Sequence, residues 1–391
     1  MKQGNKTALI GLAVAGLLVT GGAAADEEDR AWSLDLRYRL ESVQQDGLPD
    51  DALASTLRTR LGLASHEWKG WQGFIEFEDV HVVGIDDYNS TKNGNVTYPV
   101  VADPEDTELN QAYLAYGLDD GQAKIGRQRI NLGNLRFFGA VGFRQNEQTF
   151  DGARFAGTFG DLSMDVAVLT RANRIFGAHH PNPALANTDM QTFYIDLENS
   201  FGDVSVGGFV HGIDLDDSPG ASHQNIGLRA SGKHDVFDWR AEFAQQSDYA
   251  DGSAMIDADY YRVDLGYSLE GWRLGIAQEL LGGDGNYAFQ TPFATLHKFN
   301  GVTDKFLSTP ATGLADTEVN VKGKLGDWTL GAAWHQFDSD VGSLNYGSEF
   351  SVFASTRLGD YTDFSVKLGD YSAEDYATDT TKVWVTLGMH F

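Results

Sequence analysis

The segment Trp32-Ser33-Leu34-Asp35-Leu36-Arg37-Tyr38-Arg39-Leu40 alternates without a break. Trp32, Leu34, Leu36, Tyr38 and Leu40 are apolar, and the residues between them are polar or ionised. On a strand the two sets fall on opposite faces. A soluble sandwich would bury one face against a second sheet and leave the other to solvent. It would rarely place two or three ionised residues on the inner face of strand after strand, because an unpaired buried charge is costly. The pattern recurs in Tyr261, Val263, Leu265 and Tyr267 against Arg262, Asp264 and Gly266, and in Phe350, Val352, Ala354, Thr356 and Leu358 against Ser351, Phe353, Ser355 and Arg357. A water-filled barrel in a membrane accounts for it: the apolar face meets lipid and the charged face meets the lumen.

Composition excludes other classes. The chain has 391 residues, 45 Gly, 8 Pro and no Cys, so a disulfide framework and thiolate metal sites are out. It carries 29 Lys+Arg against 56 Asp+Glu, a formal charge of −27, which argues against nucleic acid as a partner. Beyond Ala25 no apolar run reaches the roughly 18 residues of a helical span. The mean hydropathy of −0.31 leaves alternating membrane strands open. At the start, Lys2 and Lys6 precede the apolar run Ala8 to Leu18 and the small residues Gly21 to Ala25. Residues 1–25 therefore read as a secretory signal peptide, with cleavage expected after Ala25 and no Cys there for a lipid anchor. Residues 26–391 read as a single domain.

Eighteen strands are expected (sixteen is the fallback count), beginning near Ser33, Leu57, Trp71, Leu109, Lys124, Asp151, Leu162, Gln191, Val204, Asn225, Phe237, Tyr260, Trp272, Thr317, Trp328, Ser348, Thr362 and Lys382. Connections after even-numbered strands are short and rich in Gly and Asp, such as Lys69-Gly70, Phe159-Gly160-Asp161, Glu270-Gly271 and Gly359-Asp360. Those after odd-numbered strands are longer, the longest spanning about 81–108, 130–150, 172–189 and 282–315. Short periplasmic turns and long extracellular loops are the rule for a transmembrane antiparallel β-barrel. Trp32, Trp68, Trp71, Trp239, Trp272 and Trp328 gather at periplasmic strand ends, as an interfacial girdle requires. The last segment puts Val383, Val385, Leu387, Met389 and Phe391 on one face, the pattern by which barrel-insertion machinery would take the chain. The expected place is the outer membrane of a Gram-negative bacterium, in contact with its lipid and lipopolysaccharide.

The inward charges are roughly balanced along the wall. Surplus acid lies in loops, at Asp50-Asp51, Asp86-Asp87, Asp103 to Asp106 and Asp214 to Asp217, and reads as solvation with divalent ions bridging to lipopolysaccharide rather than as a dedicated Ca²⁺ site. One region is locally basic: Lys124, Arg127, Arg129, Arg136, Arg144 and Arg154, opposed only by Glu147 and Asp151. Arg127 and Arg129 break the parity of Ala123 and Ile125, so a bulge or an early strand end is expected there. The following loop carries Phe137, Phe138 and Phe143, and folding into the lumen would bury these rings and bring its arginines to a constriction. Guanidinium groups there would select carboxylate-bearing solutes, or pair with barrel acids and pin the loop. His179, His180, His81, His297, His211 and His390 form no nucleophile–base set and no helical metal spacing, so no enzyme, metal or cofactor is expected.

The stretch Gly126-Arg127-Gln128, Arg136, Phe143-Arg144-Gln145 and Thr149-Phe150-Asp151-Gly152-Ala153-Arg154 resembles the alginate export family of outer-membrane barrels. His297-Lys298-Phe299-Asn300-Gly301, Asp304-Lys305-Phe306 and Gly313-Leu314-Ala315-Asp316 is a second match. The resemblance implies an eighteen-stranded barrel whose passage is lined by Arg127, Arg129, Arg136, Arg144 and Arg154, with Lys298 and Lys305 nearby. Arg37, Arg39, Arg58 and Arg60 join them as inward-facing residues of the first two strands. The alginate exporter is similar to a gated tube with a long periplasmic plug loop. Here every periplasmic turn is short, so a porin for the passive diffusion of small anionic or carbohydrate-derived solutes fits better. Export of an acidic, alginate-like polysaccharide is the alternative, and an outer-membrane enzyme the weaker one.

Overall fold

A computed structural model describes residues 31–391; the expected signal peptide lies outside the described residues. The chain forms eighteen strands: β1 (Trp32–Gln45), β2 (Ala52–Ala64), β3 (Trp71–Asp87), β4 (Asp106–Leu118), β5 (Gly121–Gln128), β6 (Thr149–Phe159), β7 (Leu162–Asn173), β8 (Asn187–Phe201) and β9 (Val204–Ile213). The second half comprises β10 (His223–His234), β11 (Phe237–Asp248), β12 (Asp257–Leu269), β13 (Trp272–Leu281), β14 (Leu314–Leu325), β15 (Trp328–Asp338), β16 (Asn345–Leu358), β17 (Thr362–Ala373) and β18 (Thr380–His390). Each strand pairs antiparallel with its neighbours in sequence, and β18 returns to pair with β1 from Asp35–His390 to Gln45–Thr380. Leu34 and Phe391 exchange backbone bonds of 2.9 and 3.1 Å, so the last residue is part of the closing seam. Closure leaves no unpaired edge to face hydrocarbon.

The burial pattern is that of a soluble protein turned outside in. Leu61, Leu114, Ile125, Val168, Ile226, Leu228, Val263, Leu274, Ile276 and Val319 stand exposed on the outer face. The outer row of β18 keeps its expected face, while Lys382 and Trp384 point inward and are buried. Trp32, Trp68, Trp71, Trp239 and Trp328 are exposed near the periplasmic rim, where a ring with one wet edge is stable. Trp384 faces the lumen instead.

Strand starts at the periplasmic rim fall within a few residues of the alternation-based expectation. At the other end the strands run further than the alternation does. The β3–β4 connection is 88–105 rather than 81–108, and the β7–β8 connection is 174–186 rather than 172–189. Asp86, Asp87, Asp106, Asp189 and Asp257 lie on these extensions. The walls there have left the bilayer, so the outer face turns polar, but each backbone N–H still needs a partner and the ladder continues.

Leu228 is 67% exposed at the middle of β10. Leu228→Arg should destabilise the folded barrel in vesicles by about 2–4 kcal/mol, measured by urea titration, because the cation would sit at the depth of the acyl chains. An unchanged midpoint would mean that this face does not meet lipid.

Candidate functional site

Two of the extracellular loops fold into the barrel. The β5–β6 loop (129–148) brings Phe137 and Phe138, and the β13–β14 loop (282–313) brings Phe289, Phe293 and Phe306. These rings join inward residues of the wall, among them Phe150, Tyr194, Phe209, Tyr260, Phe337 and Tyr371, in one buried cluster. Phe137 meets Phe209 at 4.8 Å between centroids, and Phe138 stacks with Phe293 at 5.9 Å. Each such side chain contributes roughly 1.5–3 kcal/mol by leaving water. The loops are also joined by backbone: Gly139 N–H donates to the Phe293 carbonyl at 2.9 Å, and Thr295 N–H donates to the Leu135 carbonyl at 3.0 Å. The extracellular half of the lumen thus has a packed apolar core built mainly from two loops.

The arginines singled out from the sequence lie within or around this core, and most are engaged by acid. The strand break expected near Arg127 is present. Gly126 takes φ +123°, where a Cβ would strike the Ala112 carbonyl, and β5 ends at Gln128. Arg127, opposite Asp151 in the ladder, bonds both its oxygens at 2.7 and 3.0 Å. Arg129 forks onto Glu147, which also lies 3.3 Å from Arg60; Arg60 in turn pairs with Glu78. Arg58 pairs with Asp35, and Arg154 with Asp165. Arg136 is 1% exposed, 3.3 Å from Glu279 and 4.6 Å above the Phe299 ring. Arg144 reaches Glu41 at 3.1 Å and Asp304 at 2.8 Å, and it shares Asp103 with Arg39. Arg37 has a different role: its guanidinium donates to Gln145 Oε1 at 2.9 Å and to the carbonyls of Gly142 and Arg144, clamping the tip of the β5–β6 loop. Lys298 donates to the Asn134 carbonyl at 2.9 Å, and Lys305 lies 5.8 Å from the Tyr371 ring.

Phe143 and Asp304 are the two hubs of this arrangement. Arg39 and Lys367 approach the Phe143 ring at 4.3 and 4.5 Å, and His297 stacks on it. Asp304 accepts from Arg144 and Lys382, and is 2.7 Å from His297 Nδ1. Burial alone would push the Asp304 carboxyl up, but His297, Lys382 and Arg144 hold it well below its usual range. A carboxylate with a depressed value gives stability that is present above its unfolded value and lost only as pH falls towards the folded one. This link between loop, loop and wall therefore persists through neutral pH.

A second set of cations is not neutralised. Among the described residues, no carboxylate stands within 4.0 Å of Arg37, Arg240, Lys298, Lys305, Lys322, Lys324, Arg357 or Lys367. Four of these, Lys322, Lys324, Arg357 and Lys367, line one sector. Lys322, Gly331, Phe353 and Lys367 face one another in a row across β14–β17, and Lys324, Thr329, Ser355 and Ser365 form the next row towards the periplasm. The small side chains at Thr329, Ser355 and Ser365 leave space, and a cavity of about 630 Å³ opens there beside Lys324 and Arg357, with Asp327 and Asp363 at its edge. In the row above, the Phe353 ring fills the position left by Gly331. A second cavity, about 660 Å³, lies beneath the loops and is lined by Arg240, Lys298, Phe299, Asn134 and Ser205 among others. Strand alternation alone puts Lys322, Lys324, Arg357 and Lys367 on the inward face, but they are spread over three strands, whereas the arginines of 124–154 are close together in the chain. The scarcity of inward acids on β15–β17 was the signal that could have found them.

The sequence model described as "Alginate export" matches residues 30–276. The chain belongs to the alginate export family. No curated protein sequence matches it. In fold, this family member is similar to OccK3 (OpdO) of Pseudomonas aeruginosa, with a TM-score of 0.70 at 12% identity over 93% of this chain and 96% of that one. It is similar to OccAB2 of Acinetobacter baumannii, with a TM-score of 0.71 at 13% identity over 92% and 98%. OpdK of Pseudomonas aeruginosa, solved with vanillate, gives a TM-score of 0.69 at 11% identity over 93% and 99%. The architecture is that of an outer-membrane porin.

In this alginate export barrel the periplasmic turns are short, and the obstruction of the lumen comes from the extracellular side. Removing Asp304 would leave buried Lys382 without an acid and take from Arg144 one of its three, at a cost of about 3–5 kcal/mol. Asp304→Ala should therefore loosen both loops while leaving the wall intact. The expected outcome is faster proteolytic cleavage within 129–148 and 282–313 with unchanged heat-modifiable migration of the barrel. Cleavage at the wild-type rate would show that Asp304 does not hold the loops.

Proposed function

We propose that this barrel is an outer-membrane channel for the passive diffusion of small anionic or carbohydrate-derived solutes. Their route follows the β14–β17 side of the lumen. The observation that carries this reading is the group of cations without acid partners on β14–β17, Lys322, Lys324, Arg357 and Lys367, of which Lys324 and Arg357 border an open cavity lined by Thr329, Ser355 and Ser365. A cation already bound to a carboxylate has little field left for a passing anion, whereas an unpaired one in a narrow, low-dielectric lumen retains most of it. The paired arginines, Arg58, Arg60, Arg127, Arg129, Arg136, Arg144 and Arg154, hold the wall and the loops in place and set the shape of the passage. The hydroxyls of Thr329, Ser355 and Ser365 suit a solute that carries several oxygens. The outward apolar belt supports contact with outer-membrane lipid, and the unbroken outer row ending at Phe391 supports recognition by barrel-insertion machinery.

Export of an acidic polysaccharide, which the family's description favours, would need both inward loops displaced along the whole path of the polymer. The two readings separate on deletion: loss of acidic polymer secretion supports export, whereas normal secretion with poor growth on small acidic sugars supports uptake.

Single-channel recording in asymmetric salt should give a reversal potential of anion preference. Replacing Lys322, Lys324, Arg357 and Lys367 together with Gln should abolish that preference or reverse its sign. A wild-type channel that prefers cations would overturn the proposed route. Preference should also depend on pH. Burial pulls the Lys305 ammonium down to about 8, so its charge is present at pH 7 and mostly lost by pH 9. Anion preference should fall over that interval, and Lys305→Gln should flatten the response; an equal response in the variant would remove Lys305 from the path.

A further inference from the structure

On the opposite side of the lumen, three polar side chains are buried without the partners their chemistry demands. His211 on β9 is 1% exposed, and neither ring nitrogen has a hydrogen-bond partner. His223 on β10 is 2% exposed; its Nδ1 lies 2.9 Å from the Ala221 carbonyl, while Nε2 has no partner. Thr192 on β8 is 2% exposed, with its hydroxyl unpartnered. The ladder brings them together. His211 sits opposite Asn225, two residues from His223 on the same face of the same strand, so the imidazoles are diagonal neighbours across the β9–β10 pair. Thr192 lies one step beyond the Phe193–Gly212 pair on the other flank of β9.

Each unpartnered buried group costs about 1–3 kcal/mol, and folded proteins usually relieve such groups with water or an ion. The Ala221 carbonyl accepts only, so His223 Nδ1 must carry the proton and Nε2 presents a lone pair. A backbone carbonyl on the far nitrogen is how metal-ligating histidines are commonly oriented. Around His211 stand Phe137 and Phe138 of the β5–β6 loop at 5.1 and 5.2 Å, Phe209 at 4.8 Å and Tyr194 at 6.4 Å.

We infer that His211 and His223 form a two-coordinate site for a soft monovalent metal cation of the Cu(I) or Ag(I) class. The choice of ion follows from charge and ligand number. Among the described residues no group of three or more His, Cys, Asp and Glu is placed to hold a metal, so a Zn²⁺ site with three protein ligands is not built here. Neither imidazole has a carboxylate within 4.0 Å to balance a divalent charge. A single positive charge held between two neutral imidazoles asks for less, and the surrounding ring faces attract it. Imidazole is a good ligand for copper, and the unpartnered Thr192 hydroxyl on the neighbouring strand can accept the proton of whichever His211 nitrogen does not bind the ion. The site is cross-strand, which is why no helical His spacing announced it. A bound ion would sit against the two rings by which the β5–β6 loop packs on the wall.

The test is titration of the full refolded barrel in detergent with Ag⁺ in chloride-free nitrate buffer, followed by calorimetry. One tight equivalent is expected. His211→Phe and His223→Phe should each weaken it at least 100-fold while keeping heat-modifiable migration, and His234→Phe, at an exposed position, should leave it unchanged. X-ray absorption on the silver-loaded wild-type protein should show a first shell of two nitrogens, a readout that does not depend on the variants folding. Absence of a stoichiometric equivalent, an equivalent that survives both substitutions, or an oxygen-rich first shell would each overturn the assignment and leave an ordered water as the occupant.

Discussion

Hydrocarbon offers no hydrogen bonds, and every other feature of this protein follows from that constraint. A strand in lipid must bond its N–H and C=O groups to other strands on both sides, so the sheet has to close. Closure is accomplished by β18 lying back on β1, down to the pair of backbone bonds between Leu34 and Phe391. Once the ring is closed, the alternation of a pleated strand leaves one set of side chains outside and the other inside. Leu228 and Ile276 face outward because there is no second sheet to cover them, and Arg229 and Glu279 face inward because water and opposite charges are there.

A lumen lined with charge is under tension between two uses of that charge. Pairing an arginine with an acid stabilises the wall but cancels the field a solute would feel. The barrel divides these uses by sector. On the β1–β3 side and across to β12–β13, arginines are held by Asp35, Glu41, Glu78, Glu147 and Glu279, and the network carries the two inward loops. On β14–β17, Lys322, Lys324, Arg357 and Lys367 have no carboxylate within 4.0 Å, and Lys324 and Arg357 border a cavity lined by small side chains. Phe143 helps to maintain the division. Its ring face draws Arg39 and Lys367 close without supplying a negative charge.

The loops complete the picture in an order the chemistry dictates. The apolar side chains of 129–148 and 282–313 could not remain in water, and the barrel interior was the nearest place to bury them. Their ends are then pinned by ionic contacts whose partners lie far apart in sequence: Arg144 with Glu41 and Asp304, and Arg136 with Glu279. A plug made in this way is firm while Asp304 is ionised, which covers the neutral range.

The strand count, the inward and outward faces, the short and long ends and the inward fold of the β5–β6 loop were all legible along the chain. Each depends on residues next to or two apart from one another, and the period of a strand is a local property. The neighbour of Arg127 across the ladder, Asp151, was close enough in sequence to be noticed as its opposing charge. Other relations were beyond such a reading. That Arg144 would meet Asp304, that Lys367 would lack an acid, and that Thr192, His211 and His223 would be walled in together depend on which loop fills which part of the lumen. Pairing of charges is decided by distances of a few ångströms between segments a hundred or more residues apart, and those distances exist only after the barrel has closed and its loops have packed.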